Sequence, residues 1–160
     1  MIYIQLIGLI AFCILVLSFY KKEPATILTY QITANFAYSV HYFLLGGLTG
    51  AFISFINIIR NIAFIKSKTK ILVPIFIILY LTVTIIFYED IYSLLPMIAT
   101  TVYLIFMPLN KKKYLLIGEI ISASLWLLYS IFVLSYSGII TESILIISNT
   151  IQLIKLIKKD

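Results

Sequence analysis

His41-Tyr-Phe-Leu-Leu-Gly-Gly-Leu-Thr-Gly50, followed by Asn57 and the pair Arg60-Asn61, lies at the centre of the stretch from Gln31 to Lys66. On either side of Gly46-Gly47 run two largely apolar segments, Ala25 to Leu45 and Leu48 to Ile65. A membrane-spanning helix needs about 20 such residues, so each segment has the length to cross. Two adjacent glycines permit a tight turn between antiparallel helices. The rest of the chain extends this pattern in both directions.

Segment one runs from Ile2 to Tyr20 and ends at Lys21-Lys22-Glu23-Pro24, where the proline is suited to open the next helix. Segment four is Ile71 to Tyr88, and Glu89-Asp90 turns the chain into segment five, Ile91 to Leu109. Segment six is Tyr114 to Leu134, the loop is Ser135-Tyr-Ser-Gly138, and segment seven is Ile139 to Leu156. Seven spans with short loops use almost all of the 160 residues, 62% of them hydrophobic and 11% charged. The expected fold is an all-α membrane protein with seven transmembrane helices, with no room for a soluble catalytic domain. Pro74 and Pro96 fall inside their segments, where they either kink a helix for gating or are tolerated in lipid.

The net charge of +6 does not indicate nucleic acid, because the lysines punctuate apolar runs instead of gathering on one solvated face. Lys21-Lys22, Lys66 to Lys70, Lys111 to Lys113 and Lys155 to Lys159 each follow a hydrophobic segment. With the N-terminus outside and the C-terminus cytoplasmic, every lysine falls on the inner side, as the positive-inside rule requires. Cys13 is the only cysteine, which excludes an intramolecular disulfide and a thiolate metal cluster. Met1 to Tyr20 lacks the basic start and small-residue cleavage site of a secretory signal and reads as a retained helix. One histidine, no paired metal ligands, no phosphate loop and no nucleophile motif leave no basis for an enzyme, a metal or a cofactor.

An offset of 88 residues carries Gly50 to Gly138, Asn61 to Asn149, Gln31 to Glu119, His41 to Tyr129 and Tyr38 to Trp126. It also aligns segment one with segment five without a gap. The chain therefore reads as a three-helix repeat over residues 1–66, a linker helix over 67–88 and a second three-helix repeat over 89–160. An odd number of helices per repeat plus one linker leaves the two repeats parallel.

Four acidic, basic or imidazole side chains, His41, Arg60, Glu119 and Glu142, fall well inside the spans, where a charge costs roughly 2.5 to 3.5 kcal/mol. At about 1.5 Å rise per residue, Arg60 and Glu119 lie roughly 9 Å from the inner boundary, and His41 and Glu142 roughly 6 to 8 Å from the outer one. Two polar layers or gates are expected, Arg60 with Glu119 and His41 with Glu142, bracketing a central cavity. The bland alternatives are an Arg60 that snorkels to the headgroups, a neutral His41 bonded to a hydroxyl, and a hydrated Glu142. Helical spacing collects Gln31, Asn35, Tyr38 and Tyr42 on one face, Ser54, Asn57 and Asn61 on another, and Glu119, Ser122, Trp126 and Tyr129 on a third. Such faces suit either a small polar ligand or hydrogen-bonded glue between helices. Trp126 lies too deep for the usual interfacial belt.

The run from His41 to Ala51 followed by Arg60-Asn61 resembles the bacterial inner-membrane YgjV family, and the 3-1-3 layout resembles the SWEET, PQ-loop and PnuC-like superfamily. That resemblance implies a bacterial cytoplasmic (inner) membrane location and a substrate-contacting role for Asn61 and Asn149, one on the third helix of each repeat. The Pro-Gln motif of the superfamily is absent. Asn57, Tyr38, Trp126 and Asn35 complete the expected solute-binding set. The expected function is facilitative transport of a small polar metabolite, such as a sugar, nucleoside or vitamin-like solute, by alternating access. The alternative is a non-transporting scaffold or accessory subunit. The expected partners are the lipid bilayer and a small polar solute, with no nucleic acid, and a homo-oligomer is left open.

Overall fold

The computed structural model describes residues 2–67 and 69–158. Seven α-helices make up these residues: α1 (Ile2–Phe19), α2 (Pro24–Leu45), α3 (Leu48–Lys66), α4 (Leu72–Ile86), α5 (Leu94–Phe106), α6 (Lys112–Phe132) and α7 (Tyr136–Ile157). Among the described residues five stretches are long and apolar enough to cross a membrane: α1, α3, α6, α7, and α5 taken with its flanking 3-10 turns as Ile91–Leu109. α4 has only 15 residues, about 22 Å of helix against a hydrocarbon core of about 30 Å. α2 has the length, but its inward face of Gln31, Asn35, Tyr38 and His41 makes it the most polar of the long helices.

Local chemistry sets the turns. Pro24 opens α2, where its missing N–H costs nothing. Gly46 closes α2 at φ +85°. Its N–H bonds the Phe43 carbonyl at 3.1 Å, while Gly47 N–H bonds that of Tyr42 at 3.0 Å. This paired closure of a helix end favours a residue without a Cβ at Gly46. Asp90 Oδ1 accepts the N–H groups of Tyr92 and Ser93, and Ser93 Oγ accepts those of Glu89 and Asp90. Pro74 and Pro96 both stand in the first turn of their helices, where a lost N–H breaks no intrahelical bond, so neither acts as a kink.

The last loop is shorter than the sequence suggested. Tyr136, Ser137 and Gly138 are already helical because Ser135 Oγ caps the Gly138 N–H at 3.1 Å. The chain reverses at Leu134, whose φ is +54°.

α2 packs between α1 and α3, and α6 between α5 and α7. The two groups meet where α1 touches α7 and α3 touches α5, and α4 lies against α3 and α5. Large apolar side chains such as Ile10, Phe36, Ile78 and Ile147 form the outer surface, while Arg60, Glu119, Glu142, His41 and Asn61 are buried. Polar groups inside and apolar groups outside are the distribution that lipid selects. At the lysine end, Lys112 Nζ donates to the Lys21 carbonyl at 3.0 Å, and Lys21 sits 4.6 Å over the Tyr30 ring.

Candidate functional site

Arg60 organises one half of the interior. It is 3% exposed, so its charge does not reach the headgroups. Its Nε and Nη2 both donate to Asn61 Oδ1, at 3.0 and 2.9 Å, and Nη1 donates to the Tyr80 hydroxyl at 3.3 Å. Tyr80 in turn donates to Asn57 Oδ1 at 2.7 Å. The guanidinium also lies 5.1 Å from the centre of the Tyr103 ring, within cation–π range. Asn61 Nδ2 reaches Gln31 Oε1 at 3.5 Å, and Gln31 Nε2 donates to the Tyr103 hydroxyl at 3.0 Å. One connected network therefore ties α2, α3, α4 and α5 together around a single positive charge.

Beside this network lies a cavity of about 50 Å³. Gln31, Asn35, Tyr38 and Tyr42 of α2 line it together with Ser54, Asn57 and Arg60 of α3. From the other group of helices come Thr100 and Tyr103 of α5, Glu119, Ser122 and Trp126 of α6, and Glu142 of α7, while Leu15 of α1 closes the wall. Every helix except α4 contributes. Trp126 stacks on Tyr42 with ring centres 5.5 Å apart, and Tyr42 on Tyr38 at 6.2 Å. Arg60 and Glu119 face the same cavity, but the hydrogen bonds of Arg60 go to Asn61 and Tyr80, not to the carboxylate.

His41 does not pair with Glu142 among the described residues. Its Nδ1 lies 2.8 Å from the Ile4 carbonyl oxygen, which fixes Nδ1 as the donor, and its Nε2 then accepts from Ser135 Oγ at 2.8 Å. Ser137 Oγ stands 3.3 Å from the same nitrogen. The ring is fully buried and has no place on the cavity wall. It fastens α2 to α1 and to the start of α7, and Gly8 leaves it room, since a Cβ there would fall 2.9 Å from His41 Cε1. Tyr129, 88 residues further on, makes the opposite crossing. Its hydroxyl accepts the Gly50 N–H at 3.2 Å, and a Cβ on Gly50 would come within 2.6 Å of its ring. Between the two crossings Tyr42 and Ser130, also 88 apart, meet at 3.2 Å.

Asn61 and Asn149 differ from the expectation of a matched substrate-contacting pair. Neither lines the cavity, and both are fully buried. Asn61 is spent on Arg60 and Gln31, whereas neither amide atom of Asn149 has a hydrogen-bond partner among the described residues. Arg60 is what separates the two: the position 88 residues after it is Ser148, which has no guanidinium to offer. Of the expected residues, Asn35, Tyr38, Asn57, Arg60, Glu119, Trp126 and Glu142 come together at the cavity. Tyr80, Tyr103 and Thr100 were missed. A tyrosine far from either boundary was the available signal for the first two, the same one that singled out Trp126.

The chain belongs to the bacterial inner membrane protein family Imp-YgjV, whose family model matches residues 2–160. No curated protein and no solved structure matches it.

Proposed function

We propose that this inner-membrane protein is a carrier for a small polar solute and not an enzyme, with residues 1–66 and 89–160 acting as two parallel three-helix units around the linker 67–88. All seven helices cross the bilayer in this reading, N-terminus outside and C-terminus cytoplasmic. The observation that carries it is the cavity: a polar, partly charged space built from the helices of both units and placed where they meet. Membrane proteins bury such groups at a cost of several kcal/mol when no task requires them. The contacts between α1 and α7 and between α3 and α5 are related by the 88-residue offset, as two units sharing a two-fold axis would require. Rocking one unit against the other would expose the cavity to either side in turn.

A second reading, a non-transporting scaffold, draws on the size of the space. About 50 Å³ holds roughly three water molecules at about 15 Å³ of probe-filled volume each, so a sugar or nucleoside does not fit without rearrangement. Cysteine accessibility separates the two. On a Cys13→Ser background, Ser54→Cys and Ser122→Cys should be modified by membrane-impermeant thiol reagents from both faces of oriented vesicles. Protection of both positions from both faces refutes the carrier and leaves the scaffold.

A further inference from the structure

We infer that the cavity binds a small organic monocation, held between the carboxylates of Glu142 and Glu119 and the rings of Tyr42 and Trp126. This names a ligand class for the carrier proposed above, but the binding itself does not depend on transport.

The first argument is an unpartnered charge. Glu142 is 5% exposed and Glu119 9%, both line the cavity, and no hydrogen bond reaches either carboxylate among the described residues. A buried carboxylate without partners is costly and calls for a compensating group. Among the described residues Arg60 is the only cation on the cavity wall, and its guanidinium is already engaged by Asn61, Tyr80 and the Tyr103 ring. With both carboxyl groups ionised, two carboxylates against one guanidinium leave the site one positive charge short. An anion would deepen that imbalance; a monocation removes it.

The second argument is the aromatic part of the wall. Tyr42 and Trp126 are stacked at an interplanar angle of 22°, and Tyr38 continues the stack. Aromatic faces attract organic ammonium groups, with Trp the strongest. The Tyr38 hydroxyl is buried and unpaired, while its neighbour Thr141 donates instead to the Ser137 carbonyl at 2.6 Å. A cavity of about 50 Å³ admits a ligand of roughly three or four heavy atoms, by comparison with about 15 Å³ per water. Methylammonium and ethylammonium, with two and three heavy atoms, fit within that limit.

Trp126 is the only tryptophan, so its emission reports on the site directly. The full-length protein in detergent at pH 8 is titrated with methylammonium chloride, with N-methylglucamine chloride, too large for the cavity, holding ionic strength constant. A saturable change in Trp126 emission is expected, with acetamide and sodium chloride giving none over the same range. Glu142→Gln and Glu119→Gln should each weaken the response at least about tenfold, the equivalent of about 1.4 kcal/mol, while the exposed Glu23→Gln leaves it unchanged. Unaltered helical circular dichroism and thermal midpoints establish that the variants are folded; if one is not, the other decides. No saturable change with methylammonium, as when a proton supplies the missing charge, overturns the inference, and so does an equal response to acetamide or sodium. Methylammonium binding without two-sided labelling of Ser54→Cys sinks the carrier and spares the cation site. Two-sided labelling without methylammonium binding does the reverse.

Discussion

Asn149→Leu should stabilise this protein, and Asn61→Leu should destabilise it, although the two positions are 88 residues apart in matching helices. Asn149 keeps both amide atoms buried and unpaired. A buried polar group without a partner costs about 1 to 3 kcal/mol, and leucine, with the same branching and number of side-chain heavy atoms, removes that cost. Asn61 instead accepts two bonds from the Arg60 guanidinium and donates to Gln31. Its loss strands a buried charge, a defect worth about 3 to 5 kcal/mol. For a chain of this length, 1 kcal/mol moves the thermal midpoint by about 2 to 4 °C. Thermal unfolding of purified protein in one detergent, followed by circular dichroism, should show the midpoint of Asn149→Leu raised by several degrees and that of Asn61→Leu lowered by about 6 to 20 °C. The reasoning fails if Asn149→Leu falls alongside Asn61→Leu, since the Asn149 amide would then have a partner in the folded protein. Because Asn149 lies off the cavity wall, Asn149→Leu should also keep the Trp126 response to methylammonium.

Tyr80→Phe removes a hydroxyl that accepts from Arg60 and donates to Asn57; a loss of about 1 to 3 kcal/mol is expected, read in the same unfolding assay, and a neutral result would mean that Arg60 is held by Asn61 alone. A green fluorescent protein fused after the C-terminus should fluoresce in cells under the proposed orientation, which puts the lysine-rich ends on the cytoplasmic side. A dark fusion made at normal levels, paired with an active periplasmic reporter at the same position, would reverse the orientation.

Much of the helix layout was legible because its determinants are local. Pro24 and Gly46 mark both ends of α2 in the sequence itself, and the Asp90 turn needs only residues 89 to 93. Which polar residues lie inward was also readable, since helical spacing fixes a face. What spacing cannot supply is the partner across the interface. Rise per residue gives the depth of His41 and Glu142 but not their direction around the bundle, so two groups at one level were expected to meet. His41 turns instead to Ile4 and Ser135. Arg60 finds Tyr80 on a helix that otherwise reads as plain apolar filler. The 88-residue offset matches residue types without matching neighbours, which is why Asn149 stands alone where Asn61 is well held.

The crossings made by His41 and Tyr129 have a consequence for how this end of the protein can come apart. α2 reaches over to the start of α7 while α6 reaches over to the start of α3, so any separation of the two three-helix groups as rigid bodies strains both grips in the same instant. A half-released form gains nothing, because one grip still holds the groups at the distance the other needs. Opening is then all-or-none, and lesions at His41 and Tyr129 bias one shared equilibrium. Two weak polar contacts, individually close to thermal energy, thus act as a single threshold.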